Sequence, residues 1–216
     1  MKASEFIKDD ISRRGFLGGV TGAAVGLKGS SKPQVTEPEA PKEKAVFRPL
    51  GKKPELEVYL KRVAELSGIR GVELAQFLAQ VKHETWDFTR LFEVPKGPKY
   101  FSKKYDPKYS PRMAKILGNF KIGDGVKFYG RGFIQLTGRD NYTKAEKAIG
   151  VPLTTNPDLA ATPEVAAKIA VWYWNNRVKP FVSDFSDTSS VTKKINPAQH
   201  GLESRHTNFV KYSSMF

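Results

Sequence analysis

A chain of 216 residues with 39% hydrophobic and 12% aromatic residues can bury a core of its own, which excludes a disordered chain or a coiled coil. Cysteine is absent, so disulfides and thiolate metal sites are excluded and packing must hold the fold. The formal net charge of +14 favours an anionic partner, whether nucleic acid, cell wall, lipopolysaccharide or membrane surface.

Residues 1–28 form a basic N-terminal segment in which Ser12-Arg13-Arg14-Gly15-Phe16-Leu17 precedes a Gly/Ala/Val run ending at Leu27. Two readings fit it, a twin-arginine-like export signal and a basic arm. The run is shorter than the ~18 apolar residues of a membrane span, so no transmembrane segment is expected. Residues 29–54 are rich in Pro, Lys, Glu and Ser and read as a linker, because they hold too little apolar surface to offset their ordering entropy. The folded domain is expected over residues 55–216.

Within that domain the pattern is mostly helical. Pro54 stands at a first helical position, followed by Leu56, Tyr59, Leu60, Val63 and Leu66, and Gly68 closes the helix. A second helix carries Val72, Ala75, Leu78, Ala79 and Val81 towards His83-Glu84. Ser110-Pro111 opens a short helix that Gly118 ends. Between Phe120 and Thr137 glycines interrupt the pattern, and Phe128-Tyr129 and Phe133-Ile134-Gln135-Leu136 predict a small β-hairpin. Thr162-Pro163-Glu164 starts a further helix with Val165, Ile169, Trp172 and Tyr173 on one face; Leu202, His206, Phe209 and Val210 mark the last one. The expectation is a mainly α domain with one Gly-rich insertion, a suitable place for a cleft.

Glu84 ends an apolar helix, where a carboxyl borders the core; burial favours its protonated form, which a general acid needs. Glu93 follows nine residues later on an expected loop. Glycoside hydrolysis needs two carboxyls of opposite roles across the scissile bond, and a helix and a facing loop can supply them. Spacing alone fits ordinary surface glutamates as well. His83-Glu84 is not a zinc peptidase motif, since Asp87 stands where the second histidine would be; His83 reads as a packing or hydrogen-bonding residue, and no metal is expected. The stretch Tyr129 to Tyr142 lacks the Gly-Lys-Ser/Thr ending of a phosphate loop. Its Gln135, Thr137 and Asn141 suit sugar hydroxyls or a held water, while a structural turn before a helix is the plainer reading.

Several ordered blocks resemble glycoside hydrolase family 19, the chitinase-like fold, and within it the phage endolysins. They are Ala79-Gln80-Val81-Lys82-His83-Glu84-Thr85, Leu91-Phe92-Glu93, Leu117-Gly118-Asn119 with Gly123-Asp124-Gly125, Gly130 to Tyr142, and Val191 to Asn196 with Gly201-Leu202-Glu203-Ser204-Arg205 behind. The resemblance implies a lysozyme-like, family 19 chitinase-like helical domain with a small β-hairpin and a central cleft. It implies Glu84 as general acid, Glu93 as the base that activates water, and Thr137 as the hydroxyl that helps hold that water. Gln135 and Asn141 are implied as substrate-binding residues and Asn196 and Arg205 as a pair near the cleft, with His83 beside it. The implied mechanism is inversion with no metal or cofactor. Two departures stand out. Trp86-Asp87 replace two small residues, and Trp86 either stacks on a sugar ring or fills core. Pro197-Ala198 replace a glycine pair after Asn196, which changes the local loop.

Peptidoglycan and chitin share β-1,4-linked N-acetylated sugars. The lack of a cysteine-rich chitin-binding module, the phage-like blocks and the basic surface favour peptidoglycan glycan strands within an anionic cell envelope. Lys and Arg are scattered rather than striped and no nucleic-acid motif occurs, so no nucleic-acid partner is expected; the alternatives are a chitinase or a non-catalytic wall- or nucleic-acid-binding virion protein. A monomer is expected. It reaches the periplasm or wall through the export signal, or from a host cytoplasm through a phage pore.

Overall fold

The computed structural model describes residues 53–216. The export segment and nearly all of the expected linker lie outside the described residues. The first helix, α1, spans Lys53–Leu66, so Lys53 and Pro54 open it rather than end the linker. It is followed by α2 (Gly71–Glu84), α3 (Tyr100–Tyr105), α4 (Pro111–Leu117), α5 (Asp124–Lys127), α6 (Arg139–Ile149) and α7 (Pro163–Tyr173). A π-helical turn, Trp174–Val178, continues α7, and α8 (Thr188–Ile195) and α9 (Leu202–Ser213) complete the chain. Among the described residues no helix is long and apolar enough to cross a membrane.

The five expected helices form, and local chemistry explains their ends. Gly118 takes the left-handed conformation (φ +65°) that closes α4, with its N–H on the Lys115 carbonyl. Ser110 opens α4 through its carbonyl, which accepts the Ala114 N–H at 2.8 Å, rather than through its hydroxyl. On α8, the Asp187 carboxylate accepts the N–H groups of Ser189 and Ser190, a side-chain cap. Tyr100–Tyr105, Asp124–Lys127, Arg139–Ile149 and Thr188–Ile195 are helices that apolar periodicity alone does not predict. All are short or polar.

The expected β-hairpin is a correction. Among the described residues only isolated antiparallel bridges form, Phe92 with Arg131 and Arg131 with Leu136. Gly132 (φ +75°), Gln135 (φ +53°) and Gly138 (φ +91°) curl the run out of extended backbone. What remains is a tight loop closed by the paired N–H and carbonyl groups of Arg131 and Leu136, at 3.1 and 2.8 Å.

The main core joins α1 and α2 to α7, α8 and α9 through Leu60, Phe77, Leu78, Ala170, Val191 and Phe209. A second cluster gathers Phe128, Leu136, Tyr142, Leu153 and Ile169 beneath the Gly-rich loop, and Ile134 packs against both. The buried face of α9 is Arg205, Phe209 and Tyr212; the expected His206 and Val210 are exposed. A charged residue sits inside because its guanidinium finds partners there.

Candidate active site

The polar face of α2 is unusual. Gln76, Gln80 and Glu84 recur every fourth residue on a helix whose other inward residues are apolar, so they form one stripe. Gln76 Nε2 donates to the Phe185 carbonyl at 3.0 Å and to Thr188 Oγ1 at 3.1 Å. Gln80 Nε2 donates to Gln76 Oε1 at 3.2 Å and to Thr192 Oγ1 at 3.0 Å. Arg205 Nη1 donates to Gln80 Oε1 at 2.6 Å, Nη2 to Glu84 Oε1 at 2.5 Å, and Nε to the His200 carbonyl at 3.2 Å. This ladder joins α2, α8 and α9 and fixes the rotamer of Glu84. Buried polar groups connected this fully specify one arrangement.

Beyond the ladder, Glu84 borders a cavity lined by Phe77, Gln80, Val81, Phe133, Ile134, Ala170, Tyr173, Trp174 and Ile195. The wall is apolar apart from Gln80 and Glu84. Its far side is built from the end of α7 and the π-helical turn, a deviation from α geometry that often accompanies functional sites. Of the expected site residues, Glu84 alone lines this cavity.

Glu93 is placed quite differently. Its backbone N–H donates to the Gly130 carbonyl at 2.8 Å, pinning the segment to the Gly-rich loop. Its side chain has 0% exposure. Lys104 Nζ stands 2.7 Å from Oε1, and the Tyr105 hydroxyl 3.0 Å from Oε1 and 2.9 Å from Oε2. The Gly130 N–H reaches Oε2 at 3.3 Å. Burial opposes the Lys104 charge, but its hydrogen bonds to Glu93 and Tyr105 outweigh this and hold its pKa above the usual lysine range. Burial, then the Glu93 charge, pushes the Tyr105 hydroxyl up.

Gln135 lies beside Glu93. A Cβ on Gly130 would stand 3.0 Å from Gln135 Oε1 and 3.1 Å from Glu93 Oε2, so glycine is what lets both side chains close on the loop. Gln135 also donates to the Gly132 carbonyl at 3.0 Å. Because Ile134 lines the Glu84 cavity while Gln135 faces Glu93, successive loop residues link the two carboxyls. Thr137 is fully buried, and its hydroxyl donates to the Gln135 carbonyl at 2.8 Å, bracing the left-handed turn at Gln135. Asn141 is buried as well and donates to the Thr137 carbonyl at 2.7 Å.

His83 packs against Gly201, where a Cβ would come within 2.1 Å of its ring, and its Nδ1 lies 3.1 Å from Ser204 Oγ. Burial, then the nearby Arg205 charge, lowers its pKa. Asn196 follows α8, and its Oδ1 accepts the Ala198 N–H at 3.1 Å, so the Pro197-Ala198 departure is absorbed in a side-chain-stabilised turn. Its neighbour Ile195 lines the cavity. Trp86 is 63% exposed, which overturns core filling; the Arg90 guanidinium stacks 4.4 Å from its ring centre. Among the described residues, no three His, Asp or Glu side chains are grouped so as to hold a metal ion.

Sequence reasoning misses Lys104 and Tyr105, as it does Gln76, Gln80, Thr188 and Thr192. The glutamine stripe is readable as polar residues at fourfold spacing on an apolar helix. Lys104 and Tyr105 carry no comparable signal.

Residues 64–202 match glycoside hydrolase family 19, chitinase class I. The chain belongs to this family. A family 19 domain-containing protein of Haemophilus influenzae is 32% identical over 159 residues, covering 63% of this chain and 76% of the relative. An endochitinase of Arabidopsis thaliana is 38% identical over 125 residues, or 57% of this chain, but the chain spans only 38% of that relative's length. Among solved structures, chitinase C from Streptomyces griseus superposes with a TM-score of 0.54 at 25% identity, covering 74% of this chain and 68% of that one. The family 19 fold is therefore helical, as expected, with the Gly-rich loop in place of a sheet.

Proposed function

We propose that this family 19 protein is an endolysin-type glycosidase. It hydrolyses the β-1,4 bond between N-acetylmuramic acid and N-acetylglucosamine in peptidoglycan, with inversion, as a monomer acting in the periplasm or cell wall. One observation carries the reading: Glu84 is held by Arg205 at 2.5 Å on the rim of an apolar cavity. An acid there gives its proton to the glycosidic oxygen, and Arg205 supplies the counter-charge to the carboxylate that remains. Glu93 takes the proton of a water that attacks the anomeric carbon from the opposite face. The Glu93 side chain is enclosed between α3 and the Gly-rich loop, which hold it in one place. Thr137, Gln135, Asn141, Asn196, His83 and Trp86 shape the surrounding cleft.

The charge of +14 supports an anionic bacterial envelope as the working surface, and a phage lysis role follows from the endolysin-like blocks. Residues 1–28 supply export, or a phage pore supplies access, and 29–52 link them to the enzyme. Chitin is the second reading, favoured by the Arabidopsis relative, named an endochitinase. The test is digestion of purified peptidoglycan by the wild type and Glu84→Gln, with reduction and mass spectrometry of the fragments. Disaccharide-peptides ending in reduced N-acetylmuramic acid, from the wild type alone, are expected. Release from chitin oligomers but not from peptidoglycan would move the substrate to chitin.

A further inference from the structure

Glu93 is enclosed by one face of α3, and the geometry of that enclosure goes beyond a structural ion pair. We propose that Lys104 and Tyr105 are positioning residues that pair with the Glu93 carboxylate and aim it for water activation. The proposal rests on the reading of Glu93 as the base.

Tyr100 and Lys104 share a face of α3 by helical spacing, and Tyr105, the last residue of the helix, meets the same carboxylate. The Lys104 ammonium bridges Glu93 Oε1 at 2.7 Å and the Tyr100 hydroxyl at 3.0 Å. Tyr100 in turn lies 3.5 Å from Oε1. Tyr105 sits almost equidistant from both carboxylate oxygens, at 3.0 and 2.9 Å, with one proton to give. It fixes the carboxylate plane, and the 3.5 Å Tyr100 contact, the longest of the set, is the one an attacking water would replace. From the Gly-rich loop the Gly130 N–H and the neutral Gln135 amide face the same carboxylate. Tyr129 lies close enough for the Glu93 charge to help push its hydroxyl pKa up, behind burial. Lys104 is thus the cation of the set.

The helix carrying these groups is itself anchored. Asn119 donates to the Tyr105 carbonyl at 3.0 Å, and Asp106 accepts the N–H groups of Gly123 and Gly125 at 3.0 and 2.8 Å. Gly125 lets α5 close on α3, since a Cβ there would stand 2.7 Å from the Phe101 carbonyl oxygen. A six-residue helix tied down at its C-terminal end is suited to hold a side chain in place. Both donors stay protonated across any working pH, because the pKa values of Lys104 and Tyr105 are raised.

The test is a kcat/KM–pH profile on peptidoglycan for the full chain and for Glu93→Gln, Lys104→Met, Lys104→Arg and Tyr105→Phe. Without its cation a buried carboxylate protonates more easily, so the acid-side limb of Lys104→Met should move up by about one pH unit or more. Its kcat should fall about 100-fold with KM little changed. Lys104→Arg should restore the limb. Tyr105→Phe should lower kcat about 10-fold without moving the limb, as expected for lost aim rather than lost charge. A wild-type profile in Lys104→Met, with Glu93→Gln inactive, overturns this proposal alone. Full activity in Glu93→Gln overturns the base reading beneath it. If Lys104→Met does not fold, Tyr105→Phe decides: an unchanged kcat overturns the proposal and a selective kcat loss sustains it.

Discussion

The Arg205 guanidinium meets the Glu84 carboxylate at 2.5 Å across 121 residues of sequence, with side chains 1% and 8% exposed. At that depth each charge depends on the other. Removing one partner of a buried pair strands the other, at a cost of about 3–5 kcal/mol. Arg205→Met should therefore lose stability on that order. Glu84→Gln with Arg205→Met should lose less than the two single changes summed, because no lone charge remains. Urea denaturation of the four proteins gives the coupling directly; simple additivity would mean the pair is energetically idle.

Gln80 transmits the same order to Arg205. It accepts from Arg205 at 2.6 Å while donating to Gln76 and Thr192. Gln80→Leu keeps the shape but leaves those partners unsatisfied, each worth about 1–3 kcal/mol. A loss of at least ~2 kcal/mol is expected. Gln80→Glu keeps the acceptor for Arg205 but loses the donor to Gln76 and competes with Glu84 for the guanidinium, so activity and stability should both fall. A Gln80→Glu enzyme with wild-type turnover would show that the orientation of Glu84 does not depend on the ladder.

Much of this site is legible in the amino-acid sequence, and the exceptions have physical causes. Glu84 reads as a carboxyl bordering the core because apolar residues at helical spacing lead into it. Arg205 is reached by family resemblance alone: nothing local distinguishes a buried arginine from a solvated one until α2 delivers Gln80 and Glu84. The hairpin fails because aromatic and β-branched residues around Phe133 set a strand-like pattern that Gly132 and Gly138 then break. Lys104 stays hidden because Lys103-Lys104 in a basic chain looks like solvated surface, and only packing against Glu93 separates the two. The helix from Arg139 to Ile149 is mostly polar, so apolar periodicity gives little to read.

Directly after α2 the chain makes a left-handed turn through Trp86, Asp87 and Phe88, at φ 53°, 64° and 58°. Thr85 supports it, its hydroxyl donating to the Val81 carbonyl at 2.8 Å and accepting the Phe88 N–H at 3.0 Å. The turn drives Phe88 into the core, edge-on to Phe133. Left-handed backbone costs a side-chain-bearing residue about 1–2 kcal/mol, which glycine avoids. Trp86→Gly should thus be more stable than Trp86→Ala by about 1 kcal/mol, although both lose the indole and its Arg90 contact. The same pair tests the sugar-platform role: if the indole stacks on a ring, KM rises alike in both. Equal melting temperatures would deny the strain, and an unchanged KM would deny the platform.

His83 gives the fold a pH dependence whose sign can be worked out. Burial, helped by Arg205, holds its pKa below the ordinary value of 6.5. Below that value the unfolded chain takes up a proton that the folded chain resists, so protonation draws the equilibrium towards unfolding. The stabilising contribution of the neutral ring is complete above about 6.5 and is lost as pH falls below it. Because the ring is half-buried, solvent screens the effect and it should be modest. His83→Gln keeps a group that can bond Ser204 but does not titrate in this range. Between about pH 7.5 and pH 5.5 the wild-type melting temperature should therefore fall further than that of His83→Gln. Two melting curves displaced by the same amount over that interval would show that His83 does not carry the dependence.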